Sequence, residues 1–204
     1  MLVGEFDKNL NLNPLQPGIK PGISLFTAIK NRRDTFEEAL STWVSCNDVD
    51  EIIITDWDSD ESLVNLVEKY QNGKIFLAIA ANQPKWVLSY AYNLSARLTT
   101  RTRLLKIDAD VKLQPGFFAA HDLEPGRFFC GNWRKRRNDN ELHLNGMIYV
   151  HRQDFFQVNG YNEFIKFYGW DDSDLYLRLE KAGLQRHDLN FDTLYHIPHA
   201  NRIK

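Results

Sequence analysis

The chain has 204 residues, of which 43% are hydrophobic, and these values predict one domain with a sizeable core. Its formal net charge of −2 argues against nucleic-acid binding, which uses clustered Lys and Arg on a basic domain. The two cysteines lack CxxC spacing, and no apolar run reaches the roughly 18 residues needed for a membrane span. These features predict a soluble cytoplasmic protein, with peripheral membrane contact as the open alternative.

The first half of the chain alternates short apolar runs with amphipathic segments. Residues 1–21 are polar and interrupted by proline, so they predict a lead-in arm or an edge element. Strands are predicted at 23–30, 51–55, 74–80 and 103–110, and helices from 34, over 63–70 and over 84–99. This alternation predicts an α/β fold with a mainly parallel, doubly wound sheet. Its ligands would bind at the carboxyl ends of the strands, near Thr27, Asp56 and Asp108.

From Arg127 onward the pattern changes. Residues 127–137 and 141–152 predict two antiparallel strands around a polar tip, where the basic run 134–137 would be solvated. The second half therefore has more α+β character, and no linker separates it from the first.

Two aspartates, Asp108 and Asp110, end the fourth predicted strand in the run KIDADV. A divalent cation such as Mg²⁺ or Mn²⁺ binds carboxylate oxygens together with the phosphates of a substrate. The alternative is that both aspartates cap the turn that precedes Pro115 and Gly116.

Polar residues also follow the first two strands. Asn31 and Arg32 offer donors that suit a phosphate or a base edge, although surface positions at a helix start are an equal alternative. Ser59 or Asp60 is expected to cap the second helix. Asp56 is not explained by capping, so it could accept hydrogen bonds from a ribose or a base.

The run GWDDSDLYLRL crowds three carboxylates at the start of a predicted helix. Helical spacing predicts a buried stripe of Leu175, Leu179 and Ala182. Asp171 and Asp172 then lie on the buried side, whereas Asp174 pairs with Arg178 one turn later. Gly183 is expected to end this helix.

All three acids could simply stabilise the positive end of the helix dipole. Trp170, directly before them, favours a second interpretation, in which an aromatic ring supports a sugar and partial desolvation makes a nearby carboxylate more basic. His196 and His199 near the C-terminus are either core histidines or a third metal ligand beside the D-x-D pair.

In chain order, the segments TAIKNR, TDWDS, KIDAD and NGYNEFIKFYGWDDSDLYLRLEKAG resemble the family 2 type of GT-A glycosyltransferases. The last segment is similar to a C-terminal pattern of the β-1,4-galactosyltransferases, GYDE followed by GWGxEDxDLxxRL. The resemblance implies a GT-A fold with a small antiparallel C-terminal part. It also implies inverting transfer of a sugar from a nucleotide diphosphate sugar, most often a UDP-sugar, to a saccharide or other hydroxyl acceptor, in polysaccharide or glycoconjugate synthesis.

The resemblance also implies roles for individual residues. The nucleotide sugar would contact Thr27, Asn31, Arg32, Asp56, Asn93, Lys106 and Asp108. Mn²⁺ or Mg²⁺ would be bound by Asp110 and His196, with His199 as the substitute. Asp172 would be the general base, and the acceptor would contact Asn132, Trp170 and Asp171, the last standing where the family usually has Glu. A single domain over 1–204 would then consist of an arm (1–21), a nucleotide-binding half (22–110) and an acceptor-binding half (111–204).

Two other classes of protein stay open. A sugar-nucleotide pyrophosphorylase has a related sheet, but it would carry a Gly-rich phosphate loop after the first strand, which TAIKNRRD lacks. A non-catalytic sugar- or nucleotide-binding module of the same fold could keep Trp170 and lose the acids. The joint presence of Asp108, Asp110 and Asp172 disfavours that module.

Overall fold

The computed structural model describes residues 3–5, 18–70, 73–167 and 169–199. Within these ranges the strands are β1 (Val3–Glu5), β2 (Lys20–Ile29), β3 (Glu51–Asp56), β4 (Ile75–Ile79), β5 (Arg101–Lys106), β6 (Val111–Leu113), β7 (Arg127–Cys130), β8 (Ile148–His151), β9 (Gln185–Asp188) and β10 (Leu194–His196). The α-helices are α1 (Arg33–Ser45), α2 (Val64–Glu68), α3 (Leu88–Arg97), α4 (Phe117–Ala120), α5 (Arg152–Gln157) and α6 (Asp171–Lys181). Single 3₁₀ turns lie at Trp133–Lys135, Asn140–Leu144 and Phe191–Thr193.

The main sheet has eight strands in the order β1-β4-β3-β2-β5-β8-β7-β9. All neighbours from β1 to β5 run parallel, as do β7 and β9, whereas β8 is antiparallel to both β5 and β7. The predicted mainly parallel α/β sheet is therefore confirmed. β3 illustrates why these runs become strands, because its β-branched sequence EIIITD is buried at every position.

Helices cover both faces of the sheet, as predicted. On one face, Phe36, Leu40 and Trp43 of α1 pack with residues of α2 against β2 and β3. On the other face, α3, α5 and α6 pack through residues such as Tyr92 and Leu175. None of the helices in the described ranges is both long and apolar enough to cross a membrane.

Several element boundaries differ from the prediction. Neither Ser59 nor Asp60 caps a helix, because the Asp56 carboxylate accepts the Ser59 N–H at 3.0 Å and closes a turn there, and α2 begins only at Val64. β7 and β8 are antiparallel as predicted but shorter. The expected hairpin tip is instead folded into two 3₁₀ turns, where Arg137 pairs with the buried Glu141.

The structure agrees only in part with the predictions for the N-terminal arm and for helix α6. β1 is an edge strand parallel to β4, and the remaining residues of the predicted arm up to 17 lie outside the described residues. In α6, Leu175 and Leu179 are buried, and Gly183 ends the helix with a φ of 95°. The burial predicted for Ala182 is wrong, because Ala182 is the exposed C-cap of the helix.

Two features of the topology position the polar residues. β2 lies between β3 and β5, and the crossover through α3 carries the chain from β4 to β5, so the strand order reverses beside β2. Ligands of doubly wound sheets bind at such a point. β10 then pairs antiparallel with β6, which sets His196 opposite Val111, and the Ile197 N–H donates to the carbonyl of Asp110 at 2.7 Å.

Candidate active site

The turns after β2 and β3 are joined by Asn31 and Asp60. Asn31 has left-handed backbone (φ 56°), its Nδ2 donates to Oδ2 of Asp60 at 3.1 Å, and its Oδ1 accepts the Asp60 N–H at 2.8 Å. Asn31 therefore has a structural task, which is to hold one rim of the site in place.

Three potential metal ligands converge at the end of β5. Ligand atoms of Asp110, His196 and His199 lie within 4.8 Å of one another. Nε2 of His199 is 2.8 Å, and Nε2 of His196 is 3.9 Å, from Oδ2 of Asp110. Both histidines, rather than one or the other, thus face the same carboxylate. One carboxylate oxygen and two imidazole nitrogens form a donor set that fits a divalent transition-metal ion.

Arg32 joins this cluster from the turn after β2. Its Nη1 lies 2.9 Å from Nδ1 of His199. Because a guanidinium only donates, Nδ1 of His199 accepts in this arrangement. A metal bound through Nε2 would require the ring proton on Nδ1, so the Arg32 guanidinium would then turn to another acceptor. The sequence therefore places a cation directly beside the donor set, where a phosphate group could contact both.

The ring of His196 is held by its neighbours. Its Nδ1 lies 2.6 Å from Oδ1 of Asn140, and the ring of His143 stacks on it with centroids 4.3 Å apart. Burial lowers the pKa of His196 although Asp110 acts in the opposite direction. The imidazole is thus neutral near pH 7, as a metal ligand requires.

Lys106, the last residue of β5, is buried with 1% of its surface exposed. Its Nζ donates to Oδ1 of Asp108 at 2.7 Å and to the carbonyl of Gly146 at 2.9 Å, and it lies 4.0 Å from Oδ1 of Asp172. Burial alone would lower the pKa of Lys106, but the carboxylates of Asp108 and Asp172 outweigh it and raise the pKa. The ammonium is therefore charged and lies between the two acids.

Two buried tyrosines complete this network. The hydroxyl of Tyr92 donates to Oδ1 of Asp108 at 2.6 Å, and the hydroxyl of Tyr161 donates to Oδ1 of Asp172 at 3.2 Å. The ring of Tyr92 also lies under the Lys106 ammonium, 4.4 Å from centroid to Nζ. Each carboxylate thus receives one hydroxyl in addition to the shared cation.

The start of α6 presents its acids in different directions. Asp174 pairs with Arg178 at 2.7 Å, which confirms the predicted pair one turn apart. Asp171 is buried and accepts the Gly169 N–H at 3.2 Å, and burial raises its pKa. Burial also raises the pKa of Asp172, against the opposing effect of Lys106.

A cavity of about 160 Å³ opens in front of Asp172. It is lined by Leu88, Asn145, Gly169, Trp170, Asp171, Asp172 and Ser173. The Trp170 side chain is 83% exposed, and its backbone is left-handed with a φ of 71°, a conformation that is uncommon for a bulky residue. An exposed indole beside a buried carboxylate suits a ligand with both an apolar face and a hydroxyl group.

Two predicted site residues have their side chains committed elsewhere. Asn93 is buried, and its amide group donates to the carbonyl of Tyr161 at 2.8 Å and to Glu163 at 2.9 Å and accepts the Tyr161 N–H. It therefore anchors the loop before α6 instead of facing a nucleotide. Asn132 caps the 3₁₀ turn at residue 133 and donates to Asp188 at 2.9 Å, so its amide is directed away from an acceptor role.

Two further predicted site residues, Thr27 and Asp56, lie at the predicted sheet edge but are enclosed by neighbouring residues. Thr27 is fully buried, and its hydroxyl has no hydrogen-bond partner within the described ranges. Asp56 is 3% exposed, and burial raises its pKa. Neither offers an open surface, because Ser95 of α3 contacts the Thr27 carbonyl and the Asp56 carboxylate accepts the Ser59 N–H.

Several residues of the site were missed by the sequence-based interpretation. Tyr92 has the spacing of an ordinary core residue in α3, and no local signal distinguishes it. Tyr161 stands within the GYN run that resembles the family pattern, so its position could have been found there. His143 and Gly146 lie in the segment 141–152 that was interpreted as a strand, and Asn140 lies in the polar tip before it. A 3₁₀ helix occupies residues 140–144 instead.

Comparison with known proteins agrees with this architecture. Residues 127–200 match the family model described as the N-terminal domain of galactosyltransferase, and this range contains β7 to β10 and the acids at the start of α6. No curated protein sequence matches the chain.

Solved structures show the same fold at low sequence identity. A mannosyltransferase of Pyrobaculum calidifontis, in complex with GDP-Man and Mn²⁺, is 14% identical with a TM-score of 0.65 over 83% of this chain. GalNAc-T7, with UDP, GalNAc and Mn²⁺, is 13% identical with a TM-score of 0.70 over 88% of this chain. Drosophila β1,4-galactosyltransferase 7, in complex with xylobiose, is 14% identical with a TM-score of 0.60 over the same share.

The chain spans 56% of the mannosyltransferase, 44% of GalNAc-T7 and 72% of the Drosophila enzyme. The likeness establishes that this chain has the GT-A fold of glycosyltransferases, with a small antiparallel sheet beside the main one.

Proposed function

We propose that the protein is a metal-dependent glycosyltransferase that moves a sugar from a nucleotide diphosphate sugar to a hydroxyl group of a saccharide, with inversion at the anomeric carbon. The observation that carries this proposal is the pairing of two sites at one end of the sheet. The Asp110–His196–His199 donor set lies on one side, the Asp172 carboxylate lies on the other, and Lys106 and Asp108 lie between them.

The donor side is supported by charge and by ligand type. A divalent cation bound by Asp110, His196 and His199 would act as a Lewis acid on the leaving diphosphate. Two imidazole nitrogens disfavour Mg²⁺, which takes oxygen ligands. We propose Mn²⁺, the ion bound in the structurally similar mannosyltransferase and GalNAc-T7. The Arg32 guanidinium, 2.9 Å from His199, would contact a phosphate oxygen at the same place.

On the acceptor side, Asp172 is the group that we propose as the general base. The acceptor hydroxyl oxygen forms a bond to the anomeric carbon while the bond from that carbon to the β-phosphate oxygen breaks. The electron pair of that bond leaves with the nucleoside diphosphate, and the hydroxyl proton passes to Asp172. One displacement inverts the configuration, and no covalent enzyme intermediate is required.

Trp170 would form a platform for the acceptor ring. Its indole is almost entirely exposed and lines the cavity together with Asp171 and Asp172. Aromatic rings pack against the apolar face of a sugar, and an adjacent carboxylate accepts its hydroxyl groups. Asp171 stands where the family that the sequence resembles usually has Glu. Its shorter side chain would change the hydrogen bonds to the acceptor.

A non-catalytic module is less well supported. Lys106 is buried between the half-buried carboxylates of Asp108 and Asp172, and this grouping costs desolvation energy that a passive sugar-binding surface does not need. UDP as the nucleotide, polysaccharide assembly as the role and the cytoplasm as the location are also part of our proposal. The two cysteines Cys46 and Cys130 are free, which suits a reducing compartment.

A donor screen tests this function. Purified protein is mixed with UDP- and GDP-sugars in Mn²⁺ or EDTA, and binding is measured by thermal shift and calorimetry. Donors that bind are then assayed for transfer to mono- and oligosaccharide acceptors, with the anomeric configuration of the product determined by NMR. We expect Mn²⁺-dependent binding of a UDP-sugar and an inverted product. Binding without turnover for every donor and acceptor, or a retained configuration, would contradict the proposal.

A further inference from the structure

Lys106 was expected to bind the nucleotide sugar, but its environment leaves no room for that contact. The side chain is 1% exposed, and its ammonium already donates to Asp108 and to the Gly146 carbonyl. The ring of Tyr92 covers one side, and Asp172 lies 4.0 Å away on another. A phosphate could reach Nζ only if this network opened.

The two carboxylates that flank Lys106 belong to different parts of the proposed reaction. Asp108 follows β5 and lies two residues before the metal ligand Asp110, whereas Asp172 begins the helix on the acceptor side. Without a cation between them, these two half-buried negative charges would repel each other. Lys106 makes its close ion pair with Asp108 and a longer one with Asp172, which leaves Asp172 without a direct hydrogen bond from the ammonium.

Gly146 shows how closely this arrangement is packed. A Cβ atom added there would lie 3.0 Å from Nζ of Lys106, 3.0 Å from Oδ2 of Asp172 and 3.4 Å from Oδ2 of Asp108. The bare backbone of Gly146 therefore allows all three charged groups to meet, and its carbonyl fixes the ammonium.

We propose that Lys106 is a positioning residue that joins the donor and acceptor sides of the site: it holds Asp108 in place and keeps the more distant Asp172 ionised and ready to take a proton, without contacting either substrate. This inference rests on the proposed function, because it assumes that Asp172 is the base. It differs from a nucleotide-binding role, in which loss of Lys106 would weaken donor affinity.

The charged and titratable groups around Asp172 set the expected pH dependence. They are Lys106 from β5, Asp108 after β5, Tyr161 before α6, and Asp171 and Tyr176 on α6 itself. Burial and Asp108 raise the pKa of Asp172, whereas Lys106 and the Tyr161 hydroxyl lower it. Removing the Lys106 charge should therefore raise that pKa further, and activity should be lost at a higher pH as the solution is acidified.

Lys106→Met removes the charge and keeps the length of the side chain. We expect kcat to fall at least about tenfold and the acid limb of the kcat/KM profile to move up by about one pH unit or more, while the Kd for UDP with Mn²⁺ changes less than about threefold. Lys106→Arg, which keeps the charge, should retain part of kcat and an acid limb closer to that of the wild type. A large loss of UDP affinity with an unchanged acid limb would overturn the inference.

A double-mutant cycle covers the case in which Lys106→Met does not fold. Lys106→Met with Asp108→Asn removes one positive and one negative charge, so it should recover most of the thermal stability that the single change loses. Folding of the double variant but not of the single variant supports charge pairing. If the double variant is no more stable than Lys106→Met, the ion pair is not the reason for the lysine and the inference fails.

A measurement without substrate separates this inference from the proposed function. The ¹³C signal of the Asp172 carboxyl, assigned by its absence in Asp172→Asn, is titrated in the wild type and in Lys106→Met. A higher pKa in the variant supports the role of Lys106 even if no donor is ever turned over, and equal titration curves overturn it. Absence of transfer by the wild type would count against the proposed function alone.

Discussion

Nε2 of His199 lies 2.8 Å from Oδ2 of Asp110, although the two residues are far apart in the chain. The other ring nitrogen of His199 contacts Arg32, so a single imidazole joins the turn after β2 to the end of β5. His199 therefore lies in the same cluster as His196, and we propose that both histidines bind the metal.

Loss of either histidine should weaken metal-dependent donor binding. We expect His199→Ala and His196→Ala each to raise the Kd for UDP in Mn²⁺ by at least about tenfold, because each removes one of three ligands. Calorimetry with Mn²⁺ or EDTA measures this. Asp122→Asn, an exposed acid outside the cluster, is the control and should bind like the wild type. Equal UDP affinity of the wild type in Mn²⁺ and in EDTA would contradict the metal role.

Two acids on the same turn of α6 allow a matched comparison. Asp172→Asn should abolish transfer and change UDP affinity by less than about threefold, because an amide cannot take the acceptor proton. Asp174→Asn should keep most of kcat, since Asp174 only pairs with Arg178 on the outer side. Single-turnover assays and calorimetry give both values. Turnover at the wild-type rate in Asp172→Asn would exclude Asp172 as the base.

The partial burial of Asp172 should be visible in the acid limb of the wild-type pH profile. Burial raises the pKa of Asp172, so kcat/KM should fall on acidification at a pH above the ordinary range of an aspartate. Tyr161→Phe removes a hydrogen bond that favours the ionised form and should move this limb to higher pH still. Tyr70→Phe, on an exposed hydroxyl far from α6, should leave the limb where it is. The profile is measured at subsaturating acceptor, and an unmoved limb in Tyr161→Phe would argue against the assignment.

Trp170 is expected to act on acceptor binding alone. Trp170→Ala should raise the acceptor KM about tenfold and leave the donor Kd unchanged, because the exposed indole lines the acceptor cavity. Leu177→Ala removes another exposed apolar side chain of the same helix and is the control. The acceptor KM is measured from initial rates over a range of acceptor concentrations. Equal KM values for Trp170→Ala and the wild type would show that Trp170 does not bind the acceptor.

Gly146 tests the packing of the charged network. Gly146→Ala places a methyl group 3.0 Å from both Lys106 and Asp172, so we expect lower thermal stability and a kcat reduced at least about tenfold. Gly73→Ala, where nothing lies within 4 Å, should change neither. Thermal unfolding and initial rates measure both effects, and a Gly146→Ala variant with wild-type kcat would mean that the network tolerates expansion.

The sequence predicted the parts of the molecule that depend on local pattern. The alternating strands and helices, the outward pairing of Asp174 with Arg178 and the stop at Gly183 follow from periodicity and turn chemistry, and the structure contains them. The grouping of Asp110 with a late histidine was also anticipated. The local features need no knowledge of long-range contacts, whereas the grouping of Asp110 with a late histidine came with the resemblance to the glycosyltransferase family.

The sequence did not predict the contacts of residues whose neighbours lie far along the chain. Asn93 looks like a polar residue on a ligand-facing helix, yet its amide is taken up by a loop 68 residues later. Lys106 has the spacing of a strand-end residue, and only the tertiary fold brings Gly146 and Asp172 to it. Hydrogen-bond partners of this kind leave no periodic signal, so a single sequence does not reveal them.

The antiparallel pair of β6 and β10 is only three residues long, yet its register selects which side chain reaches Asp110. With Val111 opposite His196, the imidazole faces the carboxylate. A shift by one residue would exchange His196 for Tyr195 or Ile197 and turn the imidazole to the other side of the ribbon. The contacts of His196 with Asn140 and His143 hold this register in place, so that a ribbon only three residues long brings the imidazole to Asp110.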